Sequence, residues 1–242
     1  LMGEDAGSAV PADTVNLGAA TAALCLQDTG ANPVRPHMLF FNSTHTHAVL
    51  AFVASGHVVI FDAASRSPLS CIRTSAGAGG ARQAHAAFPA LDDSYILVAN
   101  QNGKLLERIS SDYSTNTFAL DPAATLNLAT CTTPNGTACQ APGIRPDNAP
   151  ICPIIDSSSG LAFVTLRGGG MFVVDPTATP MAILGEYDLA TVHGNGCGGV
   201  QVGDSMFINS GGGTLSNLTE FDVYRFPVSG YSPAKPPNDP AP

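Results

Sequence analysis

The sequence predicts an all-β fold, a β-propeller of about four four-stranded blades that belongs to a larger propeller, and three observations carry this. Similar segments recur at Arg35-Pro-His37-Met-Leu-Phe-Phe, Arg82-Gln-Ala-His85-Ala-Ala-Phe, Arg145-Pro-Asp147-Asn-Ala-Pro-Ile-Cys and Val192-His193-Gly-Asn-Gly-Cys-Gly-Gly-Val, with markers His37, His85, Asp147 and His193 spaced by 48, 62 and 46 residues. Periods of roughly 40–50 residues suit blades of four short strands. Every segment then repeats one order of short apolar runs and polar turns. Finally, only 12% of residues are charged, against a usual ~25%, while 25 glycines and 19 prolines supply frequent turns.

The elements follow in chain order. Residues 1–14 read as a flexible N-terminal segment, and Thr21–Leu26 as a strand ahead of the first blade that could pair with the last one and so close a sheet edge. The inner strands open at the four markers. Second strands are Ala48–Val53, Tyr95–Ala99, Leu161–Thr165 and Met206–Asn209; third strands are Val58–Asp62, Lys104–Ile109, Met171–Asp175 and Glu220–Phe226. Fourth strands follow at Leu69–Thr74, Phe118–Leu128 and Met181–Tyr187, and the last repeat shows none. These runs are rich in β-branched and aromatic residues, are bounded by Gly, Asn, Asp and Ser, and none extends with a helical period. The blades thus occupy residues 15–231, with an insertion at 110–143 and a Pro-rich tail or linker at 232–242. A compact four-bladed ring and the first part of a larger propeller both fit. The second is favoured, because such short, highly apolar inner strands resemble parts of larger rings.

Composition narrows the function classes. A net charge of -9 and only two lysines, Lys104 and Lys235, leave no basic stripe for nucleic acid. No apolar run approaches the ~20 residues of a membrane-spanning helix. Six cysteines, two framing Cys131-Thr-Thr-Pro-Asn-Gly-Thr-Ala-Cys139, suit disulfides better than paired zinc knuckles, which points to a periplasmic or secreted protein. The expected pairs are Cys131–Cys139, Cys152–Cys197 and Cys25–Cys71, the last by elimination. Leu1–Thr14 lacks a signal-peptide pattern, so a mature, processed chain is expected. Asn42-Ser-Thr, Asn135-Gly-Thr and Asn217-Leu-Thr fit the N-glycosylation triplet, a pattern easily met by chance.

In a propeller the inner strands start at one rim of the central channel, and the turns between second and third strands return to it. That geometry gathers His37, His85, Asp147 and His193 at one channel mouth as candidate metal ligands, with His57, Asn102 and Arg167 on the same face as candidate ligand-binding residues. Imidazoles with a carboxylate suit copper, zinc or iron, and the His-rich set leans toward copper or zinc. The competing reading is that mouth histidines merely satisfy backbone carbonyls or water. His45 and His47 lie on the first-to-second turn, toward the opposite rim, and read as a solvated turn. The glycine runs at 168–170 and 76–81 are read as tight turns, and no GxSxG, Walker A, HExxH or CxxCH motif occurs.

The blade pattern and the inner-strand histidines over about residues 35–226 resemble the secreted seven-bladed propellers that include YVTN and lactonase-like proteins and the propeller domains of copper enzymes such as nitrous oxide reductase and thiocyanate dehydrogenase. The resemblance implies a metal or small-molecule ligand at the channel mouth, with copper as cofactor and oxidoreductase chemistry as one outcome. A lactonase-like hydrolase and a non-catalytic scaffold are the alternatives, since one fold hosts all three. Expected partners are a small molecule, a protein, or further propeller blades.

Overall fold

A computed structural model describes residues 14–211 and 222–233. It is a β-propeller of four blades, nearly all β. One helix, α1 (Leu17–Thr29), precedes β1 (Pro36–Phe41), β2 (His47–Phe52), β3 (His57–Asp62) and β4 (Pro68–Arg73) of the first blade. The second blade holds β5 (Ala84–Pro89), β6 (Tyr95–Asn100), β7 (Leu105–Asp112) and β8 (Thr117–Asn127). The third holds β9 (Pro150–Ile155), β10 (Ala162–Leu166), β11 (Met171–Asp175) and β12 (Ala182–Tyr187), and the fourth β13 (Gly199–Val202), β14 (Ser205–Asn209) and β15 (Val223–Pro227). Strands pair antiparallel in sequence order, giving three four-stranded sheets and, among the described residues, one of three strands. The segments 1–13 and 234–242, Glu220 and Phe221 of the expected last strand, and the Asn217 triplet lie outside the described residues.

Local chemistry explains the repeat. The third strands of the first three blades end in Asp because that carboxylate closes the next turn: Asp62 Oδ1 accepts from the Ser65 N–H at 2.7 Å, Asp112 Oδ1 from the Ser114 N–H at 2.9 Å and Asp175 Oδ1 from the Thr177 N–H at 2.9 Å. These short polar side chains mimic a backbone turn partner. β2, β6 and β10 are buried on both faces because the first three sheets are covered on both sides, by a neighbouring blade or by α1. Val49, Val58 and Ile60 pack on Ile96, Val98 and Ile109 between the first two blades. Leu97, Leu106 and Leu126 meet Val164, Phe172 and Val174 in the next interface, and Phe163, Met171 and Val173 meet Met206, Ile208 and Phe226 in the last. Each such side chain contributes about 1.5–3 kcal/mol by leaving water.

The strand expected at Thr21–Leu26 is instead the centre of α1. Asn16 Oδ1 caps the helix by accepting from the Ala19 N–H at 3.1 Å, and Gly30 ends it in the left-handed region at φ 71° with its N–H on the Leu26 carbonyl. An alanine-rich interior between an Asn cap and a Gly stop favours helix over strand. Thr21 and Cys25, one turn apart, face the first blade, and α1 with the Cys25–Cys71 disulfide covers Leu50, Phe52 and Phe61 there.

The insertion is shorter than expected, because residues 117–127 form the outer strand of the second blade and only 128–149 leave the sheet. Arg145 pins that loop. Its buried guanidinium donates to the carbonyls of Cys139 (3.1 Å) and Ala138 (3.3 Å), pairs with Glu186 at 3.7 Å and lies 5.1 Å from the Phe172 ring centroid. All three expected disulfides are present, with Cα separations of 5.2 Å (Cys25–Cys71), 5.4 Å (Cys131–Cys139) and 5.1 Å (Cys152–Cys197).

Candidate functional site

Every inner strand starts beside the turn that follows its blade's second strand. The N–H groups of Val53, Gln101, Arg167 and Asn209 donate to the carbonyls of Arg35, Gln83, Ala149 and Gly198 at 2.8–3.0 Å, which marks equivalent positions in the four blades. On this register, the residues equivalent to His37 and His85 are Ile151 and Val200. Asp147 lies ahead of β9, and His193 further ahead of β13, so the four markers do not share one register. Their expected equivalence failed because it followed residue type, whereas the ladder is set by backbone pairing.

Each of the first three inner strands has a register shift just inside its start: at His37, at His85 and across Ile151–Cys152. A bulge of this kind re-aims the side chain it carries. The two histidines use it identically. His37 Nδ1 bonds the His85 carbonyl at 3.0 Å, and His85 Nδ1 bonds the Ile151 carbonyl at 3.0 Å, so each imidazole ties its strand to the next blade. A carbonyl only accepts, so both Nδ1 atoms carry hydrogen, and a ring in its neutral form keeps its lone pair on Nε2. The rings lie 4.5 Å apart, and burial, with the neighbouring His37 charge second, lowers the pKa of His85 below its ordinary value.

The other markers occupy polar clusters at the same rim. Arg167 Nε donates to Asp147 Oδ2 at 2.6 Å and its Nη1 to Asn102 Oδ1 at 3.1 Å; Lys104 Nζ lies 3.6 Å from Asp147 Oδ1 and donates to Gln140 Oε1 at 2.8 Å. Partial burial raises the Asp147 pKa, but the hydrogen bond and charge of Arg167, the Ala149 N–H and Lys104 outweigh it, holding the carboxyl below the usual range. Gly168 makes this approach possible, since a Cβ there would sit 2.7 Å from the Asp147 Cβ. His193 Nδ1 bonds Asp222 Oδ2 at 2.8 Å, and Tyr224 donates its hydroxyl to the same carboxylate oxygen at 3.1 Å. The His193 loop rests on the Arg167 turn through the bond from Gly170 N to the Val192 carbonyl, 2.8 Å.

Among the described residues, no three of His37, His85, Asp147 and His193 bring ligand atoms within 4.8 Å of one another. The set that does is His85, Cys152 and Cys197, whose two sulfurs are joined in a disulfide. His57 is fully buried beneath α1, its Nε2 on the Thr29 hydroxyl at 2.9 Å. His47 is also buried, between the Thr46 hydroxyl and Asn116, while His45 is exposed, so the two do not form the solvated pair expected of a turn. Asn42 is 2% exposed and its amide is engaged by Thr44, Thr46 and Asp93, which closes that glycosylation triplet; Asn135 is exposed and bonded to Glu186. Lys104, Asp222 and Tyr224 were missed in the sequence. Aligning Pro36, Ala84 and Pro150 as strand starts would have placed His85 and Cys152 near one level.

No protein-family profile and no curated protein sequence matches the chain. Solved structures do match in fold. Hydrazine synthase of Kuenenia stuttgartiensis superposes with a TM-score of 0.56 at 10% identity, over 82% of this chain and 47% of that one. A 6-phosphogluconolactonase candidate of Bacteroides uniformis gives 0.55 at 14% identity, over 82% of this chain and 57% of that one. The dihydro-heme d1 dehydrogenase NirN, in complex with DHE, gives 0.53 at 12% identity, over 84% and 37%. The chain therefore spans between about a third and somewhat over half the length of these structures, and it shares with them the β-propeller fold.

Proposed function

We propose that the chain is an extracytoplasmic β-propeller that binds a small anionic molecule at the channel mouth, with Arg167 and Lys104 as its anchors. The observation that carries this reading is the convergence of two cations, from the turns of two adjacent blades, around one carboxylate in a protein of net charge -9. Asp147 holds Arg167 Nε, Asn102 holds Nη1, and among the described residues Nη2 is the donor left to face a ligand oxygen. A guanidinium fixed in this way loses little freedom when it takes a carboxylate or phosphate. Three disulfides support the extracytoplasmic assignment. Some matched structures carry the name 6-phosphogluconolactonase, and a phospho group is the kind of anion an Arg–Lys pair accepts.

Lactonase-like hydrolysis is the second reading, favoured by one feature. The His193 imidazole is oriented by Asp222 on a loop that rests against the Arg167 turn, and an imidazole held by a carboxylate is suited to general-base work. Calorimetric titration with inorganic phosphate and with 6-phosphogluconate tests the binding reading. Saturable binding that Arg167→Ala weakens at least ~10-fold is expected, the cost of one charge-assisted contact. Absence of binding to both probes by the wild-type protein overturns it, and hydrolysis of the matching lactone, lost in His193→Gln, separates enzyme from binder.

A further inference from the structure

Each blade sends one donor side chain to the propeller axis: Met38 from β1, His85 from β5, Cys152 from β9, and Cys197 from the segment that leads into β13. A ring nitrogen of His85 and the two cysteine sulfurs lie within 4.8 Å of one another. Met38 Sδ stands 3.8 Å from Cys152 Sγ and 3.7 Å from Cys197 Sγ, so the thioether lies against the same two sulfurs that the imidazole approaches. The backbone around the donors is held independently of the disulfide. His85 is tied to the carbonyl of Ile151, the residue before Cys152, and the buried Thr165 hydroxyl accepts from the Cys152 N–H at 3.2 Å while donating to the carbonyl of Gly196, the residue before Cys197, at 2.5 Å.

We infer that reduction of the Cys152–Cys197 disulfide converts this cluster into a site for monovalent copper. Two thiolates, a thioether and an imidazole form a soft donor set, and a thioether is a ligand that copper(I) takes and zinc rarely does. The chemistry balances with a dithiol as reductant. The dithiol gives two electrons and two protons to the S–S bond and becomes a disulfide itself, and the copper(I) ion then displaces the two thiol protons to solvent. A disulfide oxidant reverses this: it takes two electrons from the Cys152 and Cys197 thiolates and two protons from solvent, becoming a dithiol, while the S–S bond re-forms and the copper(I) ion is released. The site is thus closed by the disulfide and opened by a reductant, and it lies on the axis rather than in the anion anchor of Arg167.

The test reduces the purified protein with a dithiol, removes the dithiol without air, and titrates copper(I) against a chromophoric chelator. The expected result is one tightly held equivalent in the reduced protein beyond whatever the reduced Cys152→Ser/Cys197→Ser variant binds through its four remaining thiols, and none in the oxidised protein. Met38→Leu and His85→Gln keep both thiols and should weaken that equivalent by at least ~10-fold, as loss of a ligand or its support does. Equal affinity in wild type, Met38→Leu and His85→Gln would mean chelation by thiols alone and overturn the site. So would the absence of such an equivalent in reduced protein whose circular dichroism is unchanged. Loss of the β spectrum on reduction overturns it as well, because the four donors meet only in the folded propeller.

Discussion

His57 shows how far residue type can mislead when burial decides the role. Its imidazole is sealed between β3 and α1, and its Nδ1 has no hydrogen-bond partner among the described residues. Burial first, then the charges of Arg73 and Arg82, lower its pKa from 6.5 to about 4. The unfolded chain takes up this proton near 6.5, whereas the folded protein resists until about 4. Stability from the neutral ring is therefore complete above 6.5 and is lost as pH falls toward 4. Urea unfolding at about pH 7 and about pH 4.5 should show a loss roughly 2–3 kcal/mol larger in wild type than in His57→Gln. Parallel pH profiles would rule out this residue as the cause. His37 and His85 carry a milder lesson: their position on inner strands was legible, but each uses Nδ1 to bind a neighbouring carbonyl, the structural role weighed against metal binding from the start.

At the scale of elements, α1 is where sequence reasoning and structure part. Thr21–Leu26 taken alone is a short apolar run, which periodicity cannot distinguish from a strand. The decisive residues flank it, Asn16 as cap and Gly30 as stop. The helix holds to β4 through Cys25–Cys71, which closes a loop of separation 46, so removing the bond frees the unfolded chain by about 4 kcal/mol in the chain-entropy account. A Cys25→Ala/Cys71→Ala variant should lose a stability of that order in denaturant melts, with α1 detaching first and exposing Leu50 and Phe52. A loss below about 1 kcal/mol would show that packing alone seats the helix.

For the whole molecule, blades packed in series make stability local, because each sheet is buttressed by its neighbours in sequence. β2, β6 and β10 are buried along their whole length, whereas β13 is largely exposed, with Val200 at 60% and Val202 at 63%. Hydrogen exchange should therefore be slowest in β2, β6 and β10 and fastest, among the strands, in β13 and β15. Protection of β13 equal to that of β6 would contradict this ranking and indicate a blade held by contacts beyond those described.

The sequence by itself determined the architecture, the blade order and the cysteine pairing. Strand periodicity, turn chemistry and repeat spacing are local properties, and a repeat multiplies each weak local signal several times. Tertiary structure alone decided which side chains meet. Asp147 and Ile151 are four positions apart, yet only backbone pairing shows that Ile151 stands level with His37 and His85. One donor per blade reaches the axis at Met38, His85, Cys152 and Cys197 because bulges and loop lengths set the depth of each side chain in the channel, and those offsets leave no mark on residue type.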